Sequence, residues 1–272
     1  GVFAATTNGK MCGFNLAGGV LPGWPYAASS GFTQFTAGTA LGDLDGDGVL
    51  EVVSGSIDGA LWAWTAGGAV LSGFPVPTSG LGVAGAIALA DVDGVAGDEI
   101  IAAAKDGQLH AVRFDATEAA GFPATIPGPL PTMSPVIARL GVHPAIVVAG
   151  GTQVHAFELD GNLRWSFTLP GNAAQDPALA DFEGDGFDEL VLATSSLNML
   201  VALDTSGVAL NGRGWPLTLT ASPASAPVVG PVAAGVPCGV MVLVGSGLAA
   251  VSDSARIIPT FAPSIASDPQ AA

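Results

Sequence analysis

A Gly-aromatic-Pro tripeptide recurs along this chain, and its spacing restricts the fold more than any other feature. It stands at Gly23-Trp24-Pro25, Gly73-Phe74-Pro75, Gly121-Phe122-Pro123 and Gly214-Trp215-Pro216, in steps of 50, 48 and 93 residues. The last step is two periods of about 47 residues, with the unmarked member near Phe167-Thr168-Leu169-Pro170, and a period in this range signals a repeat architecture. Between marks lie paired apolar runs joined by turns. Val2–Thr6 and Met11–Phe14 flank Asn8-Gly9, Val52–Ser56 and Leu61–Trp64 flank Asp58-Gly59, and Ile100–Ala104 and Leu109–Val112 flank Asp106-Gly107. Asn-Gly and Asp-Gly between apolar runs are strong hairpin signals, because both turn residues tolerate positive φ. A small-residue strand precedes each hairpin, as at Ala37–Leu41, Ala84–Ala90 and Pro177–Ala180, and the segment ending at Gly-aromatic-Pro is expected to supply a fourth.

Four antiparallel strands in about 48 residues make the blade of a β-propeller. Aligned third strands place Gly13, Ala63, Ala111, Ala156, Ala202 and Ala250 in one column, where small side chains let blades pack face to face. The next column, Phe14, Trp64, Val112, Phe157, Leu203 and Val251, is apolar and mostly bulky. The expected fold is all-β: a six-bladed β-propeller of four-stranded antiparallel blades in one domain, 1–272. Blade 1 takes 1–31 plus 264–272, blade 2 32–80, blade 3 81–130, blade 4 131–172, blade 5 173–222 and blade 6 223–263. The C-terminal Ser267-Asp268-Pro269-Gln270-Ala271-Ala272 matches Gln175-Asp176-Pro177-Ala178-Leu179-Ala180, a first strand, and the N-terminal piece lacks one. Pairing of this C-terminal strand with Val2–Thr6 closes the ring and removes the exposed edges. Ala272 and Gly1 then lie within about 20 Å, a span that seven extended residues bridge.

Composition narrows the function. Lys and Arg number 7 against 23 Asp and Glu, a net charge of −16, which argues against nucleic acid and anionic membrane surfaces as partners. Mean hydropathy is +0.55 and Gly214–Ser252 carries no charge, yet Pro216, Pro223, Pro227, Pro231 and Pro237 interrupt that stretch, so a spanning helix is not expected. Cys12 and Cys238 have no metal-ligand spacing and are too few for a disulfide framework. No basic-plus-apolar leader opens the chain at Gly1, which reads as a mature form or an excised domain.

Two blades carry an acidic loop between first and second strands. One is Asp43-Leu44-Asp45-Gly46-Asp47-Gly48-Val49-Leu50-Glu51, the other Asp181-Phe182-Glu183-Gly184-Asp185-Gly186-Phe187-Asp188-Glu189. Carboxylates at positions 1, 3 and 5 with Gly at 6 reproduce the opening of a calcium-binding loop, and position 7, Val49 or Phe187, offers a backbone carbonyl. The last acid falls at position 9 and strands flank the loop, so this is not an EF-hand. Four carboxylates in nine residues of a charge-poor chain repel one another without a cation. The expected ligands are Asp43, Asp45, Asp47, Val49 and Glu51 at one Ca²⁺ site and Asp181, Glu183, Asp185, Phe187 and Glu189 at a second. A third, degenerate site is drawn at Asp91, Asp93 and Glu99, where Val95 replaces the third carboxylate. The loops at Leu140–Ala145 and Gly230–Cys238 have no acids and are expected to bind no metal.

These loops and the blade repeat resemble the FG-GAP/VCBS repeats of integrin α-subunit propellers and many secreted bacterial proteins, including some propeller lectins. The resemblance implies Ca²⁺ in the loops and adhesion or recognition outside the cytoplasm. The expected function is therefore non-enzymatic: an extracellular, cell-surface or periplasmic module binding a protein or glycan ligand. A carbohydrate-binding propeller is the alternative, and an enzyme with a site on the propeller face a third reading. The aromatics Trp24, Phe74, Phe122 and Trp215 either stack on sugars or pin the outer strand, with pinning favoured. His110 and His155 share a third-strand column with Trp62 and Cys12, as a ligand pair or as packing between sheets. Between Gly214 and Ala272 only Asp253, Arg256 and Asp268 are charged, so a subunit or domain contact is expected on the blade 5–6 side.

Overall fold

The structure is a computed structural model and describes residues 1–6, 8–28, 34–35, 38–78, 81–232, 236, 238–245 and 247–258. Strands of two to six residues form the regular structure, together with a 3-10 turn at Asn211–Arg213. The chain divides into two compact units, Gly1–Leu169 and Pro170–Ala272.

The first unit holds four antiparallel sheets. The first is β1 (Val2–Ala5), β2 (Lys10–Phe14) and β3 (Tyr26–Ala27). The second is β4 (Ala40–Gly42), β5 (Glu51–Gly55), β6 (Ala60–Trp64) and β7 (Val76–Pro77). The third is β8 (Ala88–Ala90), β9 (Glu99–Ala103), β10 (Gln108–Val112) and β11 (Ala124–Thr125). The fourth is β12 (Val136–Ala138), β13 (Ala145–Gly150), β14 (Gln153–Phe157) and β15 (Leu163–Thr168). In the second unit, β16 (Ala178–Ala180), β17 (Glu189–Thr194), β18 (Met199–Leu203) and β19 (Leu217–Thr218) make a fifth sheet. A sixth holds β20 (Val228–Gly230), β21 (Gly239–Val244) and β22 (Gly247–Ser252). Each sheet is a meander of consecutive strands. Among the described residues β1 pairs with β2 alone, and the expected closing strand, Ser267–Ala272, lies outside them.

Period-two alternation lets each sheet serve two layers. In the second sheet, Val52, Trp62 and Trp64 pack with Met11 and Trp24 of the first, while Val53, Leu61 and Ala63 pack with Ile100, Ala102 and Val112 of the third. In the third, Ile101, Ala103, Leu109 and Ala111 meet Ile146, Val148 and Phe157 of the fourth. The second unit repeats the device, with Val191, Leu200 and Ala202 against Val240, Val242 and Val251. Each buried Val, Leu or Ile among these contributes about 1.5–3 kcal/mol by leaving water, and each Ala about 0.8 kcal/mol. The small column is fully buried, and a Cβ added at Gly13 would stand 2.8 Å from Phe3 and 2.9 Å from Trp24.

The fourth strand departs from expectation. It is not the segment ending at Gly-aromatic-Pro; that tripeptide divides it. Single bridges Phe14↔Val20, Trp64↔Val70, Val112↔Glu118 and Leu203↔Ala209 precede the mark, and the two-residue strands β3, β7, β11 and β19 follow it. Proline has no N–H for the ladder and the preceding glycine has positive φ, so pairing lapses there. The fourth sheet lacks the mark, and its β15 runs unbroken for six residues. The sixth sheet, expected to be complete, shows three strands among the described residues, with the bridge Val251↔Ile257 beyond them.

The tripeptide itself docks on the neighbouring sheet of its unit. Trp24 donates its indole N–H to Ala66 O at 3.0 Å, and Trp215 donates to Asp253 O at 2.9 Å. Gly23, at φ 82°, lies so close to Gly67 that a Cβ would overlap the carbonyl oxygen, and Gly121 meets Asp160 O in the same way. The four aromatics are only 6%, 8%, 9% and 2% exposed, so they pin the outer strand and offer no face for a sugar.

Candidate metal centre

The loop between β4 and β5 is folded by its own carboxylates. Asp43 Oδ1 accepts the N–H groups of Gly46 (2.8 Å) and Asp47 (3.1 Å), and Oδ2 accepts that of Gly48 (2.9 Å). Asp47 Oδ1 takes the Val49 N–H at 2.7 Å, and buried Glu51 takes the Leu44 N–H at 3.0 Å. Asp43 thus does most of the winding, and each of the other acids accepts one loop N–H, Asp45 that of Asp47 at 3.2 Å. Oxygens of Asp43, Asp45 and Glu51 lie within 4.8 Å of one another. Burial pushes the Glu51 carboxyl above its usual range, and the charges of Asp45, Asp47 and Asp43 add to it against the Leu44 N–H. An all-oxygen, carboxylate-rich set of this kind suits a hard divalent cation such as Ca²⁺.

The loop between β16 and β17 repeats the winding. Asp181 accepts from Gly184 (2.6 Å), Asp185 (3.1 Å) and Gly186 (3.0 Å), Asp185 from Phe187 (2.9 Å), and Glu189 from Phe182 (2.8 Å). The Glu189 carboxyl is pushed up to about 6, chiefly by burial, with the charges of Glu183, Asp185 and Asp181 adding to it. Position 3 differs: Glu183 forms an ion pair with Arg213 at 2.7 Å.

The degenerate loop between β8 and β9 also brings Asp91, Asp93 and Glu99 within 4.8 Å. Glu99 accepts the Val92 N–H at 2.8 Å and Asp91 the Gly94 N–H at 2.7 Å. Here a guanidinium is already present. Arg113 donates through Nε (2.7 Å) and Nη2 to Asp93 Oδ2, and through Nη1 to Glu118 O at 2.8 Å. Burial pushes the Asp93 carboxyl up, but the Val95 N–H and Arg113 outweigh it and hold it below the usual range. This loop rests on its neighbour: Asp98 N–H donates to Asp43 O at 2.8 Å, and Gly97 lies against Leu44 O. Burial, then Asp43 and Asp91, raise the Asp98 carboxyl.

The acid-free loop of the fourth sheet is held by Arg164, which donates to Leu140 O (2.8 Å) and His143 O (3.1 Å) and pairs with Glu158 at 2.6 Å. Sequence reasoning missed Arg113, Arg164, Arg213 and Asp98. Only Asp98 had a local signal, the Asp-Glu pair that recurs at Asp188-Glu189.

The histidine column does not make a ligand pair. His110 shares a face with Val112, toward the second sheet, whereas His155 shares one with Phe157, toward the third. His110 Nδ1 is hydrogen-bonded to Glu118 at 2.6 Å and His155 Nδ1 to Ser166 at 2.8 Å, and the two imidazoles occupy different layers.

No protein-family model matches the sequence, and no curated protein matches it. Solved structures match it in fold. BBS1N, determined in complex with ARL6DN, is 17% identical over 90% of this chain and 71% of that chain, with a TM-score of 0.60. BamB from Moraxella catarrhalis is 18% identical over 94% of this chain and 68% of its own, with a TM-score of 0.63. Rhamnogalacturonan lyase YesW is 17% identical over 94% of this chain and 54% of its own, with a TM-score of 0.58. These likenesses are of fold alone, the β-propeller type. No helix among the described residues is long and apolar enough to cross a membrane.

Proposed function

We propose that this chain is a calcium-stabilised, non-enzymatic recognition propeller that works outside the cytoplasm on a protein ligand. The observation that carries the reading is the β4–β5 loop, where Asp43 is spent on three backbone N–H groups while Asp43, Asp45 and Glu51 still converge within 4.8 Å. Asp43, Asp45, Asp47, Glu51 and the Val49 carbonyl would hold one ion. Asp181, Glu183, Asp185, Glu189 and the Phe187 carbonyl would hold another, with Glu183 released from Arg213. A bound ion would supply the positive charge that the Asp43–Glu51 loop lacks, would replace Arg213 at the Asp181–Glu189 loop, and would tie first strand to second in both. The arrangement proposed for the whole chain is a six-bladed ring, closed by pairing of Ser267–Ala272 with β1. A protein ligand is favoured over a glycan because the marker aromatics are buried and because BBS1N was determined with a protein partner. A subunit or domain contact is assigned to the charge-poor blade 5–6 side.

Thermal melting in calcium and in chelator tests the metal reading. With free calcium about 100-fold above Kd, each site contributes about 2.7 kcal/mol, a rise in Tm on the order of 5 °C. Asp45→Ala with Glu183→Ala should abolish that rise. A double variant that melts like the wild type in both buffers sinks the reading.

A further inference from the structure

The second and third sheets carry the same nine-residue loop, yet only the third has an arginine built into it. In both, the ninth residue accepts the N–H of the second (Glu51 from Leu44, Glu99 from Val92), and three carboxylates lie within 4.8 Å. In both, the residue after the third strand opens the same turn: Thr65 N–H donates to Ala69 O at 2.8 Å, and Arg113 N–H donates to Thr117 O at 2.9 Å. Thr65 brings no charge. Arg113 is anchored on Glu118 O and places Nε and Nη2 on Asp93 Oδ2, the position-3 oxygen. The fourth sheet, whose loop has no acid, also uses a guanidinium, with Arg164 donating to the carbonyls of Leu140 and His143.

We infer that Arg113 is the resident cation of the Asp91–Glu99 loop and keeps a divalent ion out of it. Arginine and metal are thus alternative ways of holding the same inter-strand loop: guanidinium in the third and fourth sheets, metal in the second. In the fifth, Arg213 meets Glu183 in a more exposed pair than that of Arg113 with Asp93, and the proposed ion displaces it. This rests on the calcium reading of the Asp43–Glu51 loop. The guanidinium stays charged at any working pH, occupies a ligand oxygen and repels a second cation at close range. Removing it leaves three converging carboxylates with no counter-charge, which is the condition of the second sheet.

Calcium bound per folded chain, counted by equilibrium dialysis, tests the inference. Arg113→Gln should bind one ion more than the wild type, and Arg113→Gln with Asp91→Asn should bind the wild-type number. Thr65→Arg, which places a guanidinium beside the Asp43 loop, should bind one ion fewer. An Arg113→Gln protein that folds, by circular dichroism, and binds the wild-type number overturns the inference. Should Arg113→Gln not fold, Thr65→Arg with an unchanged count overturns it instead. The calcium reading is judged separately, by whether the wild type binds at all; the difference between variant and wild type reports on Arg113.

Discussion

The indole N–H of Trp24 reaches the carbonyl oxygen of Ala66 at 3.0 Å, which ties the Gly-aromatic-Pro segment of the first sheet to the turn that ends the third strand of the second. Trp215 and Asp253 repeat the contact in the second unit at 2.9 Å. The tripeptide is therefore a connector between neighbouring sheets, and its period records how often that connection is made.

Removing the hydrogen bond and removing the ring are separable. Trp24→Phe leaves most of the buried surface and gives up one hydrogen bond, at a cost of about 1 kcal/mol. Trp24→Ala also opens a cavity and should cost about 3–5 kcal/mol. Urea unfolding of the two variants checks the order; equal losses would mean that the ring packs without contributing.

The glycine before the aromatic is a sharper probe. Gly23 and Gly18 have the same φ of 82°, but a Cβ at Gly18 meets nothing within 4 Å and one at Gly23 overlaps the Gly67 carbonyl. Gly18→Ala should cost only the backbone term, about 1–2 kcal/mol. Gly23→Ala should cost about 1–3 kcal/mol more, because backbone must move. Matched midpoints in urea would contradict the close approach.

Acidity should act in a definite direction on the metal-free protein. Glu189 is raised from 4.5 to about 6 in the folded state, chiefly by burial, so its contribution is full below pH 4.5 and is lost as pH rises through 6. The loss is at most about 2 kcal/mol. Glu51 and Glu99 shift the same way for the same leading cause, while buried His155 is lowered and acts oppositely. Comparison with Glu189→Gln isolates the group: in chelator, the variant should gain stability over the wild type as pH climbs from 4.5 to 7. A gap that stays constant across that window would contradict it. Calcium should close the gap at pH 7, since the wild-type carboxylate is then ionised and can serve as a ligand.

Ring closure has its own test. Deleting 264–272 should expose the free edge of β1, lower the melting temperature and promote association, because an unpaired edge templates further pairing. A truncated chain that melts like the full one removes closure from the account.

Much of this architecture is local and so was legible. Asp58-Gly59 and Asp106-Gly107 sit at the tips of the β5–β6 and β9–β10 hairpins, where the sequence placed them. The acidic loops were legible because winding needs only Asp43 and the N–H groups three to five residues on. What escaped was set by partners distant in sequence. Arg113 reaches Asp93 across 20 residues, and Arg164 reaches Leu140 across 24 to a backbone carbonyl that has no side-chain identity to read. The fourth strand runs on past Gly-aromatic-Pro because a residue without an N–H interrupts pairing without ending the strand. His110 and His155 share a column, but each faces the preceding sheet, so a whole sheet separates them.

On the proposed reading divalent ions hold the Asp43–Glu51 and Asp181–Glu189 loops. Calcium on the wild-type chain is to be counted after exhaustive chelation and dialysis back into calcium, with circular dichroism to confirm the fold. Two ions per chain are expected, falling to one with Asp43→Asn and to one with Asp181→Asn. A folded chain that retains no calcium at millimolar concentration contradicts that reading.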